Sequence, residues 1–123
     1  MVLRCLTVDD NPGFLHSASA LLESGGLRVI GVASTAEEAV RRVTGLSPDV
    51  TLVDVELDGE SGFDLVRRLS SDADLRPGHL ILVSAHAEED LVDLIEASPA
   101  IGFLPKSALS TVAIEQIVRD AER

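Results

Sequence analysis

Aromatic side chains are scarce in this sequence, which contains only three Phe residues and neither Trp nor Tyr. Proteins that hold a flavin or single-stranded bases commonly stack those groups on aromatic rings. The sequence also lacks a Gly-rich loop of the kind that cradles a bound phosphate. These absences argue against an electron carrier that holds a flavin.

Basic residues, long apolar runs and cysteines are few as well. The chain has 10 Lys and Arg against 21 Asp and Glu, a formal net charge of −11. Because binding to phosphate backbones depends on clustered Lys and Arg, we expect no direct binding to nucleic acid. No apolar run approaches the roughly 20 residues that cross a bilayer, so we expect a cytoplasmic protein without membrane contact. The single Cys5 excludes an internal disulfide, and its place in a strand pattern predicts a buried, inert thiol.

Five strand-like runs alternate with five helical patterns along the 123 residues. The runs cover residues 3–8, 27–33, 50–54, 79–84 and 100–104. The third run, Val-Thr-Leu-Val-Asp, lies between turn-forming residues and is typical of a strand buried on both faces. Strict alternation predicts one α/β domain over residues 1–123, with a doubly wound parallel sheet and helices on both faces. Arg28 and Gly31 favour an edge position for the second strand.

The helix boundaries and inward faces also have sequence signals. Asn11 and Pro12 predict the cap and first residue of the first helix, and Thr35 with Glu38 predicts a capping box for the second. Helical spacing of apolar residues predicts the core-facing positions. In chain order these are Phe14, Leu15, Ala18, Leu21 and Leu22; Ala36, Ala39, Val40 and Val43; Phe63, Val66 and Leu69; Leu91, Leu94 and Ile95; and Ala113, Ile114, Ile117, Val118 and Ala121.

Reactive side chains follow four of the five predicted strands. Asp9 and Asp10 follow the first strand, Asp54 ends the third, Ser84 ends the fourth, and Lys106 lies just beyond the fifth. In such sheets ligands bind outside the carboxyl ends of the strands, so we expect these side chains to meet there. Three carboxylates brought together repel one another unless a cation neutralises them. The sequence therefore predicts a site for Mg²⁺, or for Mn²⁺, and the lack of a Cys or His cluster argues against zinc.

These residue types suit phosphoryl transfer. A carboxylate beside Mg²⁺ can attack a phosphoryl group and form an acyl phosphate, which assigns the nucleophile to Asp54. Lys106 and the Ser84 hydroxyl can each bind a phosphoryl oxygen. Each residue alone also has an ordinary interpretation, because Asp9 and Asp10 suit a helix-capping turn and Lys106 suits a solvated surface. Their convergence on one edge is what favours a phosphorylation site.

In this order, the motifs resemble the receiver domain of two-component response regulators, the CheY-like family. The resemblance rests on Asp9-Asp10, Asp54, Ser84-Ala85 and the segment Phe103-Leu104-Pro105-Lys106. It implies a flavodoxin-like (βα)5 fold with strand order 2-1-3-4-5. It also implies a histidine kinase partner that donates its phosphoryl group to Asp54. The chain would then be a switch that promotes its own phosphorylation and dephosphorylation, not an enzyme acting on a separate substrate.

The resemblance assigns further roles within the site. Asp9, Asp10, Asp54 and the backbone carbonyl of Glu56 would bind the metal, and Phe103 would change rotamer when Ser84 moves toward the phosphate. Four positions depart from the commonest family form. Asp58, Ser84, Phe103 and Ser107 stand where Pro, Thr, Tyr and Pro are frequent. Because Ser keeps the hydroxyl and Phe keeps the ring, we expect phosphorylation to survive.

Two positions near the site and one surface carry additional expectations. Glu56 and His86 each lie two residues past a site residue, so we expect both to line the pocket mouth and to tune the lifetime of the acyl phosphate. By resemblance, the fourth helix, fifth strand and fifth helix form the output face, which often mediates dimerisation or partner binding. The chain is then either a stand-alone receiver or one cut from a longer, DNA-binding regulator.

Two other functions remain open. One is a pseudo-receiver that binds partners without accepting phosphate. The other is a phosphatase of the haloacid dehalogenase type, which also uses an Asp nucleophile and Mg²⁺ on a related sheet. That family requires Asp-x-Asp, whereas Asp54-Val55-Glu56 stands here, after the third strand instead of the first.

Overall fold

A computed structural model describes residues 2–123 of the chain. Its strands are β1 (Arg4–Val8), β2 (Arg28–Ala33), β3 (Val50–Asp54), β4 (Glu56–Leu57), β5 (Glu60–Ser61), β6 (His79–Ser84) and β7 (Gly102–Pro105). Its α-helices are α1 (Pro12–Ser24), α2 (Ala36–Leu46), α3 (Gly62–Ser71), α4 (Val92–Glu96) and α5 (Thr111–Ala121). Short 3₁₀ helices cover Glu88–Asp90 and Lys106–Ala108.

Five strands form one parallel sheet in the order β2-β1-β3-β6-β7. The short strands β4 and β5 pair with each other as an antiparallel hairpin outside this sheet. Numbering only the main strands gives the order 2-1-3-4-5, so the predicted topology is confirmed. The predicted edge position of β2 is confirmed as well, whereas no sequence pattern predicted the β4–β5 hairpin.

Helices cover both faces of the sheet because the main strands are apolar on both sides. Leu6 and Val53 point into one hydrophobic cluster, which α2 and α3 complete. Cys5 and Leu52 point into the other, which α1 and α5 complete. All five residues of β3 are buried, as predicted for the middle strand. The predicted burial of Cys5 is also confirmed, and this burial outweighs its contact with Thr7 and raises the pKa of its thiol to about 12.

Side chains cap four of the five α-helices at their N-termini. Asn11 accepts a hydrogen bond from the Phe14 amide, with Pro12 at the first helical position, as predicted. Thr35 accepts from the Glu38 amide, but the Glu38 carboxylate accepts from Ser34 instead of closing the box on Thr35. Ser61 and Ser110 cap α3 and α5. These caps set where each helix starts, and hence where the loops above the sheet lie.

The prediction for the region after β6 was wrong in part. The expected continuous helix is divided into the 3₁₀ turn Glu88–Asp90 and the five-residue α4, and no side chain caps either one. Acids four residues apart, such as Glu89 and Asp93, repel each other and oppose a longer helix. As a result Leu94, predicted to face the core, is 50% exposed.

Two other predicted core positions were wrong. Leu21 is 49% exposed because Leu15, Ala18 and Leu22 already fill the inward stripe of α1. Ala121 is exposed at the last residue of α5. The last strand of the sheet also begins two residues later than predicted, at Gly102.

Among the helices in residues 2–123, none combines the length and apolar character needed to cross a membrane.

Candidate functional site

The carboxyl ends of four strands bring the predicted reactive side chains to one edge of the sheet. Asp9 directly follows β1, Asp54 ends β3, Ser84 ends β6 and Lys106 directly follows β7. Asp9 and Ser84 are 1% and 0% exposed, and Asp54 is 7% exposed. The parallel register aligns these strand ends and so brings their polar side chains together. Burial of an isolated charged group would cost free energy, which partners at the same edge can offset.

Lys106 links two of the carboxylates. Its ammonium nitrogen lies 2.8 Å from Asp9 Oδ2 and 3.1 Å from Asp54 Oδ2. The Lys106 side chain is only 21% exposed, so solvent screens these two contacts weakly. The ammonium is therefore the cation that compensates the buried acids in the protein alone.

Burial has opposite effects on the charges of Asp54 and Lys106. It raises the pKa of Asp54 to about 6, assisted by the negative charge of Asp9 and opposed by the Glu56 amide and Lys106. Burial also disfavours the charged form of Lys106, yet its contacts with Asp9 and Asp54 outweigh this and raise its pKa. Asp54 is thus a carboxylate whose negative charge is only partly compensated, which favours binding of a further cation.

The three acids also fit a divalent cation. Asp9, Asp10 and Asp54 each offer a carboxylate oxygen, and these oxygens lie within 4.8 Å of one another. Asp9 Oδ2 is buried, and apart from its 2.8 Å contact with the Lys106 ammonium it accepts no hydrogen bond from residues 2–123. An all-oxygen set of this kind suits Mg²⁺, which prefers oxygen ligands and retains several waters.

The β4–β5 hairpin forms one wall of the pocket above these acids. His86 Nε2 lies 2.7 Å from Glu56 Oε1, so the two side chains meet at the pocket mouth, where the sequence analysis expected them. The Asp58 amide donates to Asp10 Oδ2, and the Ala36 amide donates to Glu60 Oε1. These bonds hold the hairpin against both the acid pair and the start of α2.

Ser84 and Phe103 lie where the sequence analysis expected, and both are buried. The Ser84 hydroxyl oxygen accepts a hydrogen bond from the His86 amide at 2.9 Å. Phe103 is 9% exposed and packs in the cluster beneath α2 and α3, so its ring points inward.

Two residues of the site were not predicted from the sequence. The Phe14 ring lies beneath the Lys106 ammonium, 4.2 Å from nitrogen to ring centroid. Gly62 approaches the end of β3 so closely that an added Cβ would lie 1.9 Å from the Asp54 carbonyl oxygen. The start of a helix with Gly, directly after the cap Ser61, was the only sequence signal for this contact.

Comparison with known proteins assigns the family. Residues 5–119 match the response regulator receiver domain family. A nitrate/nitrite response regulator protein homolog from Haemophilus influenzae is 32% identical over 122 residues, which are 98% of this chain and 57% of the relative. A protein-glutamate methylesterase/protein-glutamine glutaminase from Idiomarina loihiensis is 32% identical over 109 residues, 86% of this chain and 28% of the relative. The chain thus spans between about a quarter and just over half of the curated relatives it matches.

Solved structures agree with this assignment. A signal receiver domain from Mycobacterium tuberculosis superimposes with a TM-score of 0.81 at 29% identity, covering 98% of this chain and 97% of that one. The N-terminal domain of a response regulator/sensory box/GGDEF protein from Carboxydothermus hydrogenoformans gives 0.77 at 30% identity, covering 97% and 96%. The chain therefore belongs to the response regulator receiver domain family of two-component systems.

Proposed function

We propose that this chain is a phosphoacceptor switch in which Asp54 accepts a phosphoryl group from a histidine kinase. The observation that carries the proposal is the position of Asp54, at a strand end between the Lys106 ammonium and two further acids. Asp9, Asp10 and Asp54 carry more negative charge than one Lys106 ammonium compensates, and a divalent ion with a phosphoryl group would complete the site. Asp10, Asp54 and Lys106 line one pocket that opens to solvent.

In the proposed transfer, an Asp54 oxygen forms a bond to phosphorus while the phosphorus–nitrogen bond of a kinase phosphohistidine breaks. The histidine nitrogen retains the bonding electron pair and takes up a proton. Lys106 turns from Asp54 Oδ2 to a phosphoryl oxygen, and the Ser84 hydroxyl donates to another. A Mg²⁺ or Mn²⁺ ion held by Asp9, Asp10, Asp54 and the Glu56 carbonyl would offset the charge that grows on the phosphoryl oxygens.

The switch would act through Ser84 and Phe103. The Ser84 hydroxyl oxygen accepts a hydrogen bond from the His86 amide at 2.9 Å. This bond would break when the hydroxyl turns toward the phosphoryl group. In this proposal, the movement of Ser84 would allow the Phe103 ring to change rotamer. The change would shift a two-state equilibrium on the face formed by α4, β7 and α5, where a second copy or an attached output domain would bind. On this proposal the domain 1–123 itself does not bind nucleic acid.

Glu56 and His86 would tune how long the acyl phosphate lasts. Their side chains meet 2.7 Å apart at the mouth of the pocket that Asp54 lines, and we place the route of water to Asp54 there. Substituting Glu56→Ala or His86→Ala should open this route and speed dephosphorylation several-fold, measured as loss of phosphoprotein after the phosphodonor is removed. Unchanged rates in both variants would contradict this role.

The two alternatives explain less of the site. A pseudo-receiver gives no reason for three clustered carboxylates whose charge one ammonium compensates only in part. A haloacid dehalogenase type of phosphatase needs a second acid two residues past its nucleophile. Glu56 occupies that place, but its carboxylate contacts His86 at the pocket mouth.

Intact-mass measurement after incubation with acetyl phosphate tests the proposal. We expect one phosphoryl adduct in the presence of Mg²⁺, and none with a chelator or in Asp54→Asn. The variant Asp74→Asn, which changes an exposed loop acid, should be phosphorylated as the wild type is. Absence of the adduct under every condition would favour the pseudo-receiver, and steady hydrolysis of a phosphomonoester would favour the phosphatase.

A further inference from the structure

Phe14 contacts the Lys106 ammonium in a way that the transfer chemistry above does not use. The Lys106 nitrogen lies over the ring at 4.2 Å from its centroid, while Asp9 and Asp54 contact the same nitrogen. An ammonium within about 6 Å of an aromatic face is attracted by the negative face of the ring. The ammonium is thus held by two carboxylates and one ring.

The ring and one of those carboxylates come from the same turn. Asp9 Oδ1 accepts from the Asn11 amide at 2.8 Å, and Asn11 Oδ1 accepts from the Phe14 amide at 3.1 Å. Pro12, at the first helical position, fixes the backbone between them. Phe14 also packs against the cluster beneath α1 and α5, so its ring is supported from below. Asp9 and Phe14 therefore form one preorganised binding site for the Lys106 ammonium.

Lys106 itself has little local support. It opens the 3₁₀ turn Lys106–Ala108, whose other two residues are exposed. A lysine side chain has four flexible carbons and a charge without directional preference, so it explores many positions unless its surroundings restrict it. The contact with Phe14 restricts the position of the Lys106 ammonium. Asp9 and Asp54 cannot do so once a metal ion or a phosphoryl group binds the same carboxylate oxygens.

We propose that Phe14 is a positioning residue for Lys106, whose ring keeps the ammonium within reach of the phosphoryl group that Asp54 accepts. This inference rests on the function proposed above, in which Lys106 binds a phosphoryl oxygen. The Phe14 ring remains in place when Lys106 leaves Asp54 Oδ2, because the ring is held by the packing of α1. Its position does not depend on the charges of the site. It is thus a partner for the ammonium both before and after transfer.

Three variants separate this role from simple packing. Phe14→Leu keeps an apolar side chain but removes the ring, and Phe14→Tyr keeps the ring. Leu22→Val removes packing at the other end of the same helix, at a fully buried position. Each is studied by NMR of the Lys106 ε-methylene in metal-free protein, and by the initial rate of phosphorylation from acetyl phosphate with Mg²⁺.

We expect Phe14→Leu to abolish the ring-current shift of the Lys106 ε-methylene and to increase its motion on the picosecond to nanosecond timescale. Its phosphorylation should be about three- to tenfold slower, as expected for loss of one partly buried cation–π contact. Phe14→Tyr should retain the wild-type signal and rate. Leu22→Val should lower the thermal midpoint and leave both readouts unchanged.

A wild-type rate and unchanged methylene motion in Phe14→Leu would overturn the inference. Equal losses in Phe14→Leu and Phe14→Tyr would also overturn it, because they would show that packing matters and the ring face does not. Should Phe14→Leu fail to fold, Phe14→Met provides a second side chain without a ring. If the wild type itself takes up no phosphoryl group, the proposed function fails, an outcome distinct from loss of rate in the variants alone.

Discussion

The acidic edge of the sheet and the segment after β6 are both rich in carboxylates, but they use them in opposite ways. At the edge, Asp9 and Asp54 are buried and share the Lys106 ammonium. In residues 88–96 five acids are exposed, and none of them forms an ion pair with any residue in the described part of the chain. These acids are Glu88, Glu89, Asp90, Asp93 and Glu96. Exposed acids are solvated individually, whereas buried acids must find cations, and only the second situation creates a reactive site.

The largest effect should come from the close contact beneath the acidic edge. Gly62→Ala places a Cβ against the Asp54 carbonyl, a backbone atom that cannot move without displacing the end of β3. We expect a loss of about 3 kcal/mol or more in the free energy of unfolding, measured by urea denaturation.

The matched control is Gly45→Ala in α2, where an added Cβ meets no atom within 4 Å. There the same change should increase stability by about 0.5–1 kcal/mol, because Ala is the better helix former. Similar effects at both positions would contradict the tight contact at Asp54.

An intermediate effect is expected from the charge of Asp54. Its pKa of about 6 in the folded protein exceeds its usual value of 3.8, so the folded state retains the proton to higher pH than the unfolded state does. The Asp54 contribution to stability is therefore complete below about pH 4 and is lost as pH rises through about 6.

The variant Asp54→Asn isolates this contribution. In metal-free buffer its stability relative to wild type should increase by about 2–3 kcal/mol between pH 4 and pH 6.5 and then level off. Urea denaturation across this pH range measures the difference. A stability difference between Asp54→Asn and wild type that does not change with pH would show that the pKa of Asp54 is not raised in the folded protein.

The smallest effect is expected in the segment after β6. Leu94→Ala should change stability by no more than about 0.5 kcal/mol, since the side chain is half exposed. Leu82→Ala, at a fully buried position of β6, should cost about 2–5 kcal/mol. Chemical denaturation of the pair measures both values. A large loss from Leu94→Ala would restore the core-facing helix that the sequence pattern predicted.

The predictions that succeeded concern features encoded locally in the sequence. Each strand is a short apolar run, and its last residues determine which side chain reaches the edge of the sheet. Asp9, Asp54, Ser84 and Lys106 could therefore be placed at that edge from the order of residues alone. The caps Asn11 and Thr35 were identified for the same reason, since each acts on the amide three residues later.

The features that were missed depend on residues far apart in the chain. The contact of Phe14 with Lys106 and that of Gly62 with Asp54 arise only after the strands have aligned. Leu94 was misplaced because helical spacing says which residues share a face, but not whether a helix of that length forms. Here uncapped ends and like charges shorten the helix, and periodicity does not report them.

The most direct test of the central claim is to locate the acyl phosphate. Borohydride reduces an aspartyl phosphate to homoserine, so phosphorylated protein can be reduced, digested and mapped by peptide mass spectrometry. The account predicts homoserine at position 54 alone, dependent on Mg²⁺ during phosphorylation. Homoserine at position 9 or 10, or no reduced residue despite a phosphoryl adduct, would contradict the assignment of Asp54 as the acceptor.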